Sequence, residues 1–298
     1  MPKIEFSLII PAANDRKVEV VRSINWLEYP KENFEVIVER GPNPSENRNN
    51  GIRKSSGSIL VFLDDDAVLP KELLKNAKSF FQQHPDAEIV GGPQLTPQDD
   101  SFFQKMSGYA LSSFFGAFSM SKRYKKTAIN LNTDETNLTS AICLIKPSVF
   151  DRIGGFNPDL FPGEDPEFFA RAKKNGIKIA YSPEIYIYHR RRSTYKLFFK
   201  QIFNYGISRI KKEKTSRTKT KPVFLVPSIF VIYLIILPFL SFLSPFFIIP
   251  LIIYIVLAIA FSIPSILKNP LGIFIMPILF FTMHIAYGLG VIKGFSER

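Results

Sequence analysis

Two runs of carboxylates and one basic cluster carry the residue types that do chemistry. The first run is Asp64-Asp65-Asp66, entered directly from the apolar stretch Ile59-Leu60-Val61-Phe62-Leu63. Adjacent carboxylates repel one another unless a cation or hydrogen-bond donors neutralise them. Hard divalent ions such as Mg2+ or Mn2+ are held by one or two carboxylates together with phosphate oxygens of a substrate. The triplet therefore reads either as a metal site that in turn holds a diphosphate, or as a solvated acidic turn capping a helix that begins near Pro70. The second run, Glu164-Asp165-Pro166-Glu167, leads a helix expected over residues 166–175 and closed by Gly176. A helix dipole also favours carboxylates there, so capping is the competing role for Asp165. The basic cluster is His189-Arg190-Arg191-Arg192, at the end of a short apolar stretch.

The elements that must position these groups follow from the apolar pattern. Residues 59–63 form a continuous apolar run bounded by Gly57-Ser58 and Pro70, the signature of a strand buried on both faces. Ligands of open α/β sheets bind outside the carboxyl ends of such strands, which is where the triplet stands. A first buried strand is expected at Phe6-Ser7-Leu8-Ile9-Ile10-Pro11, and a helix over 15–28 from the spacing of Val18, Val21, Ile24 and Leu27. A second strand, Phe34-Glu35-Val36-Ile37-Val38, ends at Glu39; a loop over 41–44 and a helix from Asn47 to Ser56 follow. Strand, helix, strand, helix, strand within about 65 residues is the pattern of a parallel, doubly wound half-domain of nucleotide-binding size. No P-loop and no strand-following G-x-G-x-x-G is present, which favours a metal as the phosphate device. Gly288, Gly290 and Gly294 lie in an apolar span and are not counted as such a loop. Residues 98–136 are aromatic-rich and locally basic, and read as a helix followed by a mobile loop. Cys143, the single cysteine, lies in an apolar strand and reads as a buried thiol.

The charge is unevenly spread. Of the net +12, eleven units lie in residues 189–221, where twelve Lys/Arg face one acid, Glu213. Residues 193–210 place Tyr195, Phe198, Phe199, Ile202, Phe203 and Ile207 at helical spacing beside lysines and arginines, as in an amphipathic helix on a membrane surface. A polar linker over 211–221 then leads to three apolar spans, about 223–243, 246–266 and 271–292. Each is near the ~20 residues that cross a bilayer core. Pro227, Pro238, Pro250, Pro264 and Pro277 imply kinks within them. Because apolar spans follow it, the basic run is read as facing anionic lipid headgroups and not nucleic acid. It places the preceding domain on the cytoplasmic side of the cell (inner) membrane, as an integral membrane protein, and three crossings would leave Arg298 outside. The expected organisation is a catalytic domain over 1–192, an interface helix and linker over 193–221, and a transmembrane region over 222–298.

With these pieces in order, the chain resembles the family 2, A-type glycosyltransferases, in particular those anchored by C-terminal hydrophobic helices. The matching residues are Ser7-Leu8-Ile9-Ile10-Pro11-Ala12-Ala13-Asn14, Phe34-Glu35-Val36-Ile37-Val38, Arg48-Asn49-Asn50-Gly51-Ile52, Phe62-Leu63-Asp64-Asp65-Asp66, Gly154-Gly155-Phe156, Glu164-Asp165-Pro166-Glu167 and His189 with its arginines, over roughly residues 4–210. The resemblance implies an α/β, Rossmann-like, mostly parallel sheet followed by an interface helix and a helical membrane region. It implies inverting transfer of one sugar from a UDP- or GDP-sugar to a hydroxyl of a lipid-linked or cell-surface glycan, with Mg2+ or Mn2+ as cofactor and membrane lipids as partners. By the same resemblance, Asp64 contacts the ribose, Asp66 holds the metal with Asp64, Asp165 is the general base, and Glu164 orients it or contacts the acceptor. Pro11, Ala12, Asn14, Arg48 and Asp65 fall in the donor-binding positions. His189 either completes the metal site or is a buried strand-end histidine. Arg190, Arg191 and Arg192 hold either phosphate oxygens or lipid headgroups. The sequence departs from the family at Glu39-Arg40-Gly41-Pro42-Asn43-Pro44-Ser45, where an Asp-rich stretch usually binds the base; Glu39 is the candidate replacement. The R-x-x-R-W-type motif of processive synthases is missing, which favours transfer of single sugars. Two other readings stand beside this one: a polyprenyl-phosphate glycosyl synthase, and a catalytically silent scaffold subunit of a membrane assembly.

Overall fold

The computed structural model describes residues 4–161, 163–216 and 220–297. The elements in chain order are β1 (Phe6–Ala12), α1 (Val20–Ile24), β2 (Phe34–Arg40), α2 (Pro44–Lys54), β3 (Ile59–Leu63), β4 (Ala67–Val68), α3 (Leu73–Gln83), β5 (Ile89–Gly91), β6 (Gln94–Leu95), α4 (Phe102–Ser112), α5 (Phe114–Ala117), β7 (Ile142–Ile145), α6 (Ser148–Ile153), α7 (Glu164–Lys174), β8 (Ile179–Tyr181), β9 (Ile187–His189), α8 (Tyr195–Ser216), α9 (Val226–Leu243), α10 (Ile249–Ala260) and α11 (Gly272–Ser296). They form two compact units. One comprises Met1–Pro97 and Lys122–Arg190, the other Gln98–Ser121 and Arg191–Arg298.

The first unit is built on a six-stranded sheet of order β2-β1-β3-β7-β5-β8. β1 pairs in parallel with β2 and β3, and β5 with β8, while β7 runs antiparallel to both of its neighbours. The sheet is thus mostly parallel, with one reversed strand inserted beside β3. Alternate side chains feed two cores. Phe6, Leu8, Ile10, Val61 and Leu63 pack with Val20, Ile24, Leu73, Leu74 and Ala77. Ile9, Leu60 and Phe62 pack on the other side with Phe156, Phe168, Phe169 and Ala172. Strand β3 is buried on both faces, as its unbroken apolar run requires. Cys143 is fully buried in β7. A second, three-stranded sheet of order β4-β9-β6 lies at the end of β3.

Three local expectations are corrected. The helix expected over 15–28 is helical over Val20–Ile24. The Arg40 side chain takes the carbonyls that would begin an earlier helix: its Nη1 donates to Ala13 O, Asn14 O and Arg16 O at 2.9–3.0 Å. Helix α2 starts at Pro44, inside the expected loop, because Asn43 caps it, its side chain accepting from Ser45 N at 3.0 Å, and proline suits the first helical position. Of the prolines expected to kink the apolar spans, Pro227, Pro250 and Pro264 stand in first turns, where no intrahelical amide bond is lost; Pro238 and Pro277 lie inside α9 and α11.

In the second unit, helix α8 runs on to Ser216, through the first half of the expected linker; residues 217–219 lie outside the described residues, as does Arg298. Its apolar face, with Phe198, Ile202 and Ile210, is buried against α11. Small residues set that approach: a Cβ on Gly206 would stand 2.4 Å from Tyr287 O, and one on Gly290 2.0 Å from Phe203 O. The three apolar stretches Val226–Leu243, Pro245–Leu267 and Gly272–Ser296, of 18, 23 and 25 residues, are long and apolar enough to cross a membrane.

Candidate active site

The carboxyl end of β3 delivers the acidic triplet, and the pairing of β4 with β9 brings His189 to it, with Ala67 opposite His189. His189 Nε2 lies 3.1 Å from Asp66 Oδ1 and 3.7 Å from Asp64 Oδ2. One ligand atom from each of Asp64, Asp66 and His189 falls within 4.8 Å of the others, a spacing that one metal ion can bridge. Two carboxylates and an imidazole form a set that can hold a divalent ion, the carboxylates suiting hard ions such as Mg2+ or Mn2+. Asp65, by contrast, is 4 % exposed and turned aside. Its Oδ2 meets Arg16 Nε at 3.0 Å, and Arg16 Nη2 also donates to Asp66 Oδ2 at 2.6 Å. Burial, opposed by Arg16, pushes the Asp65 carboxyl up to about 6. Burial likewise raises Asp64 above the usual carboxylate range, against the pull of the Arg48 guanidinium.

Arg48 is 5 % exposed and joins the two acidic runs. Its Nη1 donates to Glu164 Oε1 at 2.9 Å and its Nη2 to Asp64 Oδ1 at 3.5 Å. The helix that carries it sits close on β1: a Cβ on Gly51 would be 2.4 Å from Ile9 Cγ2. The next residue, Asn49, fastens the second run's loop. Its Nδ2 donates to Phe156 O at 2.8 Å, and its Oδ1 accepts from Phe156 N at 2.9 Å. A side chain at Gly155 would meet Asn49 Oδ1 at 2.3 Å. The Arg48-Asn49 and Gly155-Phe156 segments, far apart in sequence, are therefore two halves of one contact.

Asp165 stands at the start of α7 with one oxygen engaged and one, Oδ1, buried without a hydrogen-bond partner among the described residues. Oδ2 accepts from Ser140 N at 2.9 Å. A carboxylate held by one oxygen, with the other unpartnered, is arranged to take a proton. Glu164 differs: Oε1 meets Arg48 and Oε2 accepts from Gly163 N at 3.0 Å, so both oxygens are used inside the protein. Burial, reinforced by the Asp165 charge, raises the Glu164 carboxyl despite Arg48.

The structure separates the remaining sequence candidates. Pro11 and Ala12 are buried at the end of β1, where Ala12 O accepts from Gly41 N and Asn47 Nδ2. Asn14 is exposed, its carbonyl bound by Arg40. Glu39 is paired with Lys54 at 2.6 Å. Arg190 is exposed and ends the first unit. Arg191 and Arg192 begin a segment of the second, where Arg191 is buried, its amide donating to Asp100 Oδ2 and its carbonyl accepting from Gln104 Nε2. Sequence reasoning missed Arg16, Arg40 and Ser140. Arg16 lay in a stretch read as helix, Arg40 acts on backbone carbonyls, and Ser140 acts through its own amide, which no side-chain pattern announces.

Residues 2–204 match the family model described as glycosyltransferase like family 2. Among characterised relatives, the chain is 25% identical over 330 residues to a dolichyl N-acetyl-alpha-D-glucosaminyl phosphate 3-beta-D-2,3-diacetamido-2,3-dideoxy-beta-D-glucuronosyltransferase of Methanococcus voltae, covering 97% of this chain and 98% of that one. It is 26% identical over 171 residues to the O-antigen chain rhamnosyltransferase WbaN of Salmonella anatum, covering 55% of this chain and about half, 53%, of that one. In fold it resembles the mannosyltransferase PcManGT from Pyrobaculum calidifontis, solved with GDP-Man and Mn2+, with a TM-score of 0.58 at 15% identity over 98% of this chain and 87% of that one. The match over more than half its length, on an A-type fold, makes the chain a glycosyltransferase, a member of glycosyltransferase family 2.

Proposed function

We propose that the protein is a metal-dependent, inverting glycosyltransferase that moves one sugar from a UDP- or GDP-sugar to a hydroxyl of a lipid-linked or cell-surface glycan, at the cytoplasmic face of the cell membrane. The observation that carries this reading is that Arg48 links the Asp64–Asp66–His189 cluster to Glu164, next to an Asp165 whose buried Oδ1 has no hydrogen-bond partner among the described residues. Asp64, Asp66 and His189 Nε2 would hold Mg2+ or Mn2+, which supplies positive charge against the leaving diphosphate. Asp165 Oδ1 takes the proton of the acceptor hydroxyl as its oxygen bonds to the anomeric carbon. The bond from that carbon to the diphosphate breaks on the opposite face, and the nucleoside diphosphate departs with the electron pair. Attack from the face opposite the leaving group inverts the anomeric configuration. The Ser140 amide holds Asp165 by Oδ2, which leaves Oδ1 to do this work. Arg48 balances Asp64 and Glu164 so that the cluster can keep its charge in a buried setting.

A phosphate acceptor, as in a polyprenyl-phosphate glycosyl synthase, needs no such base, so the unpartnered Asp165 oxygen favours a hydroxyl acceptor. The Methanococcus relative is named for a lipid-linked sugar acceptor, which supports the same class. The three apolar stretches, with the basic run before them, support membrane attachment and a cytoplasmic catalytic domain. The test is turnover of a panel of nucleotide sugars by the detergent-solubilised protein, with Mn2+ or Mg2+ and then with EDTA. Metal-dependent release of nucleoside diphosphate from one donor is expected. Turnover unaffected by EDTA, or by Asp66→Ala, would reject the metal mechanism, and no turnover with no metal-dependent nucleotide binding would return the scaffold reading.

A further inference from the structure

We propose that residues 102–121 are seated in the membrane, where the acyl chains of the lipids cover the exposed aromatic face of α4 and α5 and the charged Asp99, Asp100 and Lys105 stay at the headgroup level. The inference rests on the membrane attachment proposed above. Although these residues lie within the family-matched part of the sequence, they group with the apolar helices of the second unit. From residue 106 to residue 121 the chain carries no charge.

The segment is built into those helices by specific contacts. The Phe115 ring lies 5.2 Å from Phe261 at an interplanar angle of 11°, and 5.2 Å edge-on from Phe280. Its carbonyl is 2.9 Å from His284 Nε2, while His284 Nδ1 lies 2.8 Å from the Tyr254 hydroxyl. Nε2 therefore carries the proton and donates to the carbonyl, and the tyrosine donates to Nδ1. Every polar atom of this ring is satisfied within the apolar helices, as a site without water requires. Gly116 permits the close approach, since a Cβ there would meet Ala110 O at 2.2 Å and Phe280 Cδ1 at 3.2 Å.

The opposite side of the segment points outward. Phe102, Phe114 and Phe118 are 39, 55 and 40 % exposed, and the rings of Phe114 and Phe118 lie 4.8 Å apart. Phe118 takes φ 49° and ψ −132°, a positive-φ conformation that costs a non-glycine residue about 1–3 kcal/mol, and its ring is left 40 % exposed. The exposed rings belong to the same unit as the exposed apolar residues of the membrane-length helices, Phe274 and Ile278 among them. An aqueous surface would gain nothing from paying that strain to display an aromatic ring, whereas acyl chains reward it. Because the chain passes between the two units at residues 97/98, 121/122 and 190/191, the catalytic unit is then tied to the membrane unit at three points and not through one C-terminal linker.

The test places single tryptophans in the full chain. Trp26, the sole tryptophan, is replaced by Phe, and Phe114→Trp, Phe102→Trp and Phe239→Trp are made one at a time in that background. Each protein is reconstituted into phosphatidylcholine–phosphatidylglycerol vesicles with or without brominated acyl chains, and titrated with aqueous iodide. The tryptophans at 114 and 102 are expected to lose most of their emission to brominated lipid and little to iodide. Quenching by iodide with sparing by brominated lipid would overturn the proposal, and so would shielding from both, which would mean a protein partner or a second copy. Phe239, 72 % exposed in α9, separates the two readings: if its tryptophan is quenched by brominated lipid and those at 114 and 102 are not, this proposal alone fails. If none is quenched, the membrane attachment fails with it.

Discussion

Replacing Arg48 by methionine tests whether the site is held together by one buried cation. Arg48 and Glu164 are each 5 % exposed and 2.9 Å apart, and Asp64 lies 3.5 Å away on the other side. At an effective dielectric of about 20, a charge pair at 2.9 Å is worth roughly 6 kcal/mol of Coulomb energy, most of which offsets the cost of burying both ions. Methionine keeps the unbranched apolar stem of the side chain but removes the guanidinium, whose carbon lies 5.6 Å from the Phe156 ring centre. It leaves Glu164 buried without its cation, and breaking such a pair from one side costs about 3–5 kcal/mol. For a chain of this size that lowers Tm by roughly 6–20 °C. Adding Glu164→Gln removes the stranded charge, so the double variant should recover at least about half of the loss. The assay is thermal unfolding of the purified protein in detergent, comparing Arg48→Met, Glu164→Gln and the double variant. A drop of less than about 3 °C for Arg48→Met, or a double variant as unstable as the two single losses added together, would refute the argument.

Other predictions bear on the base, the metal and the helix packing. Asp165→Asn should lower kcat by about 10²–10⁴-fold while nucleotide-sugar affinity, read by titration calorimetry, stays near wild type, because the asparagine oxygen can still accept from Ser140 but cannot take a proton; equal losses in both would assign Asp165 to donor binding. Arg16→Ala should tighten Mn2+ binding about 2–5-fold, measured by electron paramagnetic resonance, since Asp66 no longer gives up an exposed ion pair worth about 0.5–1 kcal/mol; weaker binding would mean that Arg16 supports the site. Gly290→Val should leave little folded protein in the membrane fraction, because even a Cβ would stand 2.0 Å from Phe203 O; normal yield and protease resistance would show that α8 and α11 do not pack through this glycine.

The acidic clusters, the buried strand beneath the first of them and the apolar C-terminal stretches were legible because each is a local pattern. Five apolar residues followed by three aspartates can scarcely be anything but a buried strand meeting a polar edge, and the observed β3 keeps that form. The membrane-length helices declare themselves by length and lack of charge. Where sequence reasoning failed, a distant group had taken over a local choice. Arg40 claims three carbonyls and so cancels the first part of a helix whose spacing was otherwise persuasive. Glu39, at the end of β2, is paired with Lys54 of the following helix, a contact that the local pattern of β2 does not announce.

By itself, then, the sequence determined which residues could carry charge, which strand would hold them and which stretches could enter a membrane, since periodicity and composition act over a few residues. Only the tertiary structure decided which of those charges meet. It brought His189 to Asp66 through the β4–β9 pairing, set Arg48 between Asp64 and Glu164, left one buried oxygen of Asp165 without a hydrogen-bond partner among the described residues, and joined residues 98–121 to the apolar helices. Such pairings depend on strand register and on groups distant in sequence, some of them more than a hundred residues apart, and a burial energy shared across a fold leaves no mark on any single stretch of chain.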